Sequence, residues 1–269
     1  MAGERSRRVA GRCARDTNRA WSIIRAKINF DVTDWTKVAV SVGCGCAEVA
    51  SGDENMKILG IDTSTAFAGV GLYVDGDVST RSWQSRHNHG REVMPAVMEL
   101  VNAAGLKASD LDAVAAALGP GGFSAVRVGI ATAHGLVAPT EARLIGVPTH
   151  LLQAYRHRTV TTKHVVSLIP VGRNQLSFSV FAHPISASSE AVEFGICEEG
   201  EVASRFDDND HVLCGEGTER HTGSGNGVVR PPEHLLDIAL ERLERGEISD
   251  SFLEPIYSRP PTITAPRAT

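Results

Sequence analysis

The chain has 269 residues, 42% apolar and 22% charged, which fits a globular protein of one large or two small domains. Its formal net charge of −5 gives no basic footprint for binding nucleic acid unaided, so any RNA is expected to be reached through another chain. No apolar run approaches the ~18 residues that span a bilayer, and five scattered cysteines point to a reducing cytoplasm rather than a disulfide framework.

Residues 1–55 stand apart. Arg5, Arg7, Arg8, Arg12, Arg15 and Arg19 face only Glu4 and Asp16, with no sustained hydrophobic period behind them. An arginine-rich, acid-poor start has something of a transit peptide. The plainer reading is a disordered extension, or translation begun upstream of Met56, which directly precedes the first clear strand. Cys44-Gly45-Cys46 has the spacing of half a metal site, but no second cluster accompanies it.

From Met56 the patterning sharpens. Residues 57–61 read as a compact apolar strand running into the polar turn Asp62-Thr63-Ser64-Thr65. Residues 68–74 form a second strand, Asp75-Gly76 the dipeptide of a type I′ hairpin, and 78–83 the returning strand. A helix over 91–104 follows, its stripe made by Val93, Met94, Val97, Leu100, Val101 and Ala104, with Met98 off the centre and Gly105 placed as a cap. An apolar strand at 113–118 then feeds the turn Gly119-Pro120-Gly121-Gly122, and a helix runs over 123–138 to Pro139. Glycines permit positive φ and the close approach of another group. Two readings of this turn are open: a cradle whose N–H groups hold an anion, or a sharp corner. Residues 144–147 are the next strand.

The order β-β-β-α-β-α-β is the layout of one lobe of an actin-like, ribonuclease H-type α/β fold, which normally carries two lobes. The first lobe is placed at 56–150. The second, at 151–269, is reduced: a helical segment near 149–156, strands around 165–169, 176–181 and 191–196, and a turn at 198–201. A short strand with a glycine turn (212–217) and a polar glycine-rich loop (218–229) precede a helix at 233–245, and a proline-containing tail ends the chain. Leu235, Leu236, Ala239, Leu240 and Leu243 share one face of that last helix.

Five segments in this order carry a resemblance. They are Ile58-Leu-Gly-Ile-Asp-Thr-Ser64, Gly119-Pro-Gly-Gly-Phe-Ser-Ala-Val-Arg-Val-Gly129, Ala133-His-Gly-Leu136, Ile145-Gly-Val147 and Glu254-Pro-Ile-Tyr-Ser-Arg259. Together they resemble the TsaB family of the bacterial tRNA threonylcarbamoyladenosine pathway, within the wider glycoprotease-like proteins. The likeness covers most of 56–260 and is strongest in its first half. It departs at Gly122, Ser124 and Ala125, where the family usually has serine, threonine and glycine. It departs again at Pro170-Val-Gly-Arg173, where the family often has an acidic residue.

The resemblance implies a non-catalytic partner subunit that binds and supports a TsaD-type transferase, with a TsaE-type ATPase acting on the complex. A homodimer is a further mode of pairing, and tRNA is reached only indirectly. No cofactor of its own is implied, ATP and Mg²⁺ belonging to the partner subunits. Family pairing runs chiefly through the two first-lobe helices, which places the interface at Met94, Val97, Met98, Val101, Val128 and Thr132. TsaD-type enzymes hold a metal through two histidines four apart on one helix face. Here Ala154 stands four after His150, and none of the ten histidines makes such a pair, so no metal site is expected.

No catalytic residue is expected either. Gly122-Phe-Ser124-Ala-Val126 lacks the second glycine of a nucleophile elbow. Ser124 is read instead as a helix-start residue whose hydroxyl takes up a free backbone N–H. The cofactor-binding candidates are Asp62 and Thr63, whose hairpin meets phosphate or a hydrated metal in actin-like folds, together with Gly119, Gly121 and Gly122. The competing reading is that Asp62 caps a turn and persists as a relic of the fold. The rival function is an active actin-like enzyme, either a nucleotide-dependent transferase or kinase or a glycoprotease-like hydrolase.

Overall fold

The computed structural model describes residues 56–86, 88–159, 162–172, 174–206, 209–218, 230–247 and 252–259. The arginine-rich start, Cys44-Gly45-Cys46, Arg173 and most of the glycine-rich loop at 218–229 lie outside the described residues.

β1 (Lys57–Asp62), β2 (Phe67–Val74) and β3 (Asp77–Gln84) make the expected antiparallel meander. Asp75 and Gly76 both take positive φ, 51° and 98°, as the type I′ turn requires. β4 (Ala113–Ala117) and β5 (Arg143–Val147) add in parallel, giving the sheet order β3-β2-β1-β4-β5. Parallel pairs need crossovers, and α1 (His89–Ala103) and α2 (Phe123–Val137) supply them. Both helices lie on one face of this sheet, where Val97, Val101, Val126 and Ile130 meet Leu59, Ile61, Val114 and Ala116. The opposite face carries Ile58, Ala113 and Ala115, so β4 is buried at every position, as a short all-apolar run in a parallel sheet should be. The end of α1 is closed by Gly105 at φ 69°. Its N–H donates to Asn102 O at 3.0 Å and that of Leu106 to Val101 O at 3.0 Å, the paired bonds of a Schellman end.

The second sheet holds β6 (His164–Gly172), β7 (Gln175–Phe181), β8 (Glu193–Glu198) and β9 (His211–Cys214) in the order β8-β7-β6-β9. β6, β7 and β8 run antiparallel in sequence and β9 lies parallel to β6, which repeats the first four positions of the first sheet. β8 begins at Glu193, two residues beyond the expected strand start at 191. The turn expected at 198–201 is a short 3-10 helix leading into α4 (Val202–Arg205). Val202 and Phe206 cover one face of this sheet, over Phe178 and Val180.

α3 (Thr149–Tyr155) links the two sheets and is buried at all its positions. α5 (Pro232–Glu244) follows the second sheet in the chain but packs on the first. Leu235 and Leu236 lie over Gly60, where an added Cβ would stand 3.3 Å from both side chains. One cluster therefore draws Ile58, Ile145, Leu151, Val165, Phe181 and Leu235 from both sheets and both helices. The tail then returns along α2. Leu253 N–H donates to His134 Nε2 at 3.0 Å, and Arg127 Nε donates to the Tyr257 hydroxyl at 2.6 Å. Ile256 N–H reaches Leu118 O at 2.7 Å. No helix among the described residues is long and apolar enough to cross a membrane.

Candidate functional site

β1 is apolar through Ile61 and turns polar at Asp62-Thr63-Ser64-Thr65, yet all four of these residues are buried. A buried carboxylate must be bonded and paired, or it would give up its charge. Asp62 Oδ1 accepts the Ser64 N–H at 2.9 Å and the Ser64 hydroxyl at 2.6 Å, so it does cap its own turn. Its Oδ2 accepts from Arg230 Nε at 2.6 Å.

Arg230 stands directly before the Pro231-Pro232 start of α5 and is only 6% exposed. Its Nη1 donates to Glu216 Oε1 at 2.9 Å. Its Nη2 donates to Thr65 Oγ1 at 2.8 Å, Phe67 O at 3.2 Å and Ser64 Oγ at 3.3 Å. The Thr65 hydroxyl donates in turn to Glu216. Burial works against the guanidinium charge, but the Asp62 and Glu216 carboxylates outweigh it and hold Arg230 above its ordinary value.

The remaining cleft candidates are engaged by the protein itself. Thr63 Oγ1 donates to Ala125 O at 2.7 Å, in the first turn of α2. Gly122 N–H donates to Ser64 O at 2.8 Å, and a Cβ on Gly121 would fall 1.9 Å from that same oxygen. Gly119 N–H donates to Thr149 Oγ1 at 3.1 Å, and the tail passes so close that a Cβ there would lie 2.5 Å from Ile256 O. These contacts make the turn a corner clamped between the hairpin, α3 and the tail. The helix cap differs from expectation. Gly122 is the N-cap of α2 with no side-chain bond, and Ser124 lies exposed two residues past it, inside the helix rather than at the cap. Beside this corner a cleft of about 520 Å³ is lined by Thr65, Ser85, Arg86, His89, Gly122 and Glu216.

On the second sheet's side, His150 of α3 is buried between two serines, with Nδ1 2.8 Å from Ser167 Oγ and Nε2 3.0 Å from Ser177 Oγ. Ser167 donates onward to Gln153 Oε1 at 2.5 Å. Burial, then the charge of Arg230, lowers the His150 pKa to about 3. The folded protein therefore leaves His150 neutral while the unfolded chain protonates it near 6.5, so stability is full above that value and falls as pH drops toward 3. Stability should fall with a slope of up to about 1.4 kcal/mol per pH unit from this group. Burial also lowers His234, to about 4, in the same sense, while burial raises Asp237 and opposes it. Urea unfolding at several pH values from 6.5 down to the carboxylate range should give a shallower slope for His150→Gln than for the native chain; equal slopes would remove His150 as a source.

The interface candidates divide. Val97 and Val101 are fully buried at 0% exposure, packed on the first sheet. Their place in the interface is corrected here: they occupy the centre of the apolar stripe, which faces the sheet. Met94 and Met98 point outward at 42% and 37% exposure, and Val128 and Thr132 on α2 are half-buried. The Thr132 hydroxyl is satisfied within its helix by Val128 O at 2.8 Å. Phe123, 44% exposed, stacks on Tyr257 at 5.1 Å between centroids, with the Arg127 guanidinium 3.9 Å above its ring. Sequence reasoning missed Phe123, Arg230 and Glu216. For the last two the only signal was indirect: a buried Asp62 calls for a cation, but that cation stands 168 positions away.

Residues 83–187 match the family described as TsaD, tRNA N6-adenosine threonylcarbamoyltransferase. The Escherichia coli protein called tRNA threonylcarbamoyladenosine biosynthesis protein TsaB is 36% identical over 99 residues, spanning 37% of this chain and 43% of that one. The Haemophilus influenzae TsaB is 26% identical over 225 residues, 77% of this chain and 94% of that one. A solved Pseudomonas aeruginosa structure, described as similar to the peptidase YEAZ, superposes with a TM-score of 0.65 at 23% identity, over 76% of this chain and 100% of that one. The fold is thus actin-like α/β, and the resemblance to TsaB proteins holds.

Proposed function

We propose that this chain, similar to TsaB proteins along much of its length, serves tRNA threonylcarbamoyladenosine biosynthesis in the cytoplasm as a non-catalytic subunit. It binds and supports a TsaD-type transferase, and a TsaE-type ATPase acts on the resulting complex. ATP and Mg²⁺ belong to those partners, and tRNA reaches this chain only through them. The observation that carries the non-catalytic part is the state of the hairpin. Asp62, the carboxylate an actin-like enzyme would turn toward phosphate or metal, is bonded to Ser64 and Arg230 on both its oxygens.

The pairing role is supported by adjacent helices that share one outward face. Met94 and Met98 present flexible, polarizable side chains there, suited to an adaptable contact. Calorimetric titration of the full chain with a TsaD-type protein should show specific binding. Met94→Glu combined with Met98→Glu should weaken it at least ~10-fold, about 1.4 kcal/mol, because charges would be buried without partners. Both positions are exposed in the single chain, so the melting temperature should hold. Failure of the native chain to bind would overturn the proposal, and unchanged affinity in the double variant would move the interface off this face. Sedimentation of the chain alone tests the homodimer separately.

A further inference from the structure

Asp62 ends β1 of the first sheet, and Glu216 follows β9 of the second. Arg230 bonds both carboxylates with different nitrogens, 2.6 Å to one and 2.9 Å to the other, so a single guanidinium ties the two sheets together. Around it stand two carboxylates, the hydroxyls of Ser64 and Thr65, and the Phe67 carbonyl. Carboxylate, hydroxyl and carbonyl oxygens are the donors that a hard cation takes. Here the cation belongs to the chain. Its position is set from outside the shell, since Pro231 and Pro232 follow at the start of α5, and α5 packs on the first sheet. A planar fork with donors on three nitrogens reaches acceptors on both sheets at once, which a lysine ammonium does not reproduce.

We propose that Arg230 is a resident cation that ties the two sheets together beside the β1–β2 hairpin, and that removing its side chain leaves a site for a small guanidinium ion. The proposal goes beyond the pairing function and stands apart from it, because it concerns the chain by itself.

The test uses full-length Arg230→Ala, read by amide hydrogen exchange and by thermal melting with added methylguanidinium or, as a control, tetramethylammonium at equal ionic strength. Exchange at 64–67 and at 215–218 should quicken at least ~10-fold, since both ends of the clamp are released. Methylguanidinium should restore part of the lost melting temperature and of the protection, and tetramethylammonium should not. Unchanged exchange at either segment would overturn the clamp. Absent recovery, or equal recovery with both ions, would overturn the resident-cation site. If Arg230→Ala does not fold, Arg230→Lys supplies the reading: 64–67 should stay protected while 215–218 quickens, and full protection of both segments would sink the proposal.

Discussion

Gly121→Ala is expected to destabilise the protein by about 3 kcal/mol or more, the cost of forcing apart two backbone segments and losing the bond between them. The added methyl would fall 1.9 Å from Ser64 O and 2.8 Å from Ser64 C. The obstacle is backbone, so no side-chain rotation relieves it. Ser64 is itself held by Asp62 and Arg230, and its carbonyl receives the Gly122 N–H at 2.8 Å. Admitting the methyl means separating the corner from the hairpin, which breaks that bond and disturbs the Arg230 shell. Gly135→Ala, inside the helix α2 that this corner leads into, is the control. Nothing lies within 4 Å of its Cβ, and an alanine in a helix interior should be neutral or gain up to about 1 kcal/mol. Urea unfolding of the two variants decides the matter; a Gly121→Ala protein within about 0.5 kcal/mol of native would show that the corner yields.

Leu235→Ala should cost about 2–5 kcal/mol, through lost burial and the cavity left between α5 and the first sheet. Leu235 is 0% exposed, in one cluster with Ile58, Ile145 and Leu151. The void would open beneath a helix that begins two residues after Arg230, so the variant should also quicken amide exchange at 64–67. Leu240→Ala, on the same helix but only partly buried, should cost clearly less. Chemical unfolding with an unchanged slope against denaturant would assign the loss to the native packing. Equal losses at 235 and 240 would contradict the seating of α5 on the first sheet.

Much of the first sheet could be read directly. The strand residues alternate faces, so Ile58 and Leu59 enter different clusters, and the Asp75-Gly76 dipeptide carries the positive φ values its turn needs. The last helix was placed within a residue at each end, at 232–244 against 233–245. Its partner was not legible, because an apolar stripe states that a face is buried without stating what covers it. The same limit misplaced Val97 and Val101. A stripe on a helix reads alike whether it packs on its own sheet or on a second protein, and here the sheet takes it. Met98, off the centre of the stripe, stands 37% exposed, and Met94, which the spacing assigns to the stripe, is 42% exposed.

The local elements, the actin-like order of the first lobe and the resemblance to TsaB proteins are legible along the chain, since periodicity and turn chemistry act between near neighbours. What the polar residues at the end of β1 do follows from contacts that folding brings together. Asp62 joins Arg230 across 168 positions, Gly121 faces Ser64, and Gly119 faces the tail at Ile256. A buried charge takes whichever opposite charge the fold delivers to it, and that choice is made by packing rather than by spacing along the chain. In this protein the delivered charge is a guanidinium, and the turn that could have cradled an anion is occupied by the chain's own backbone.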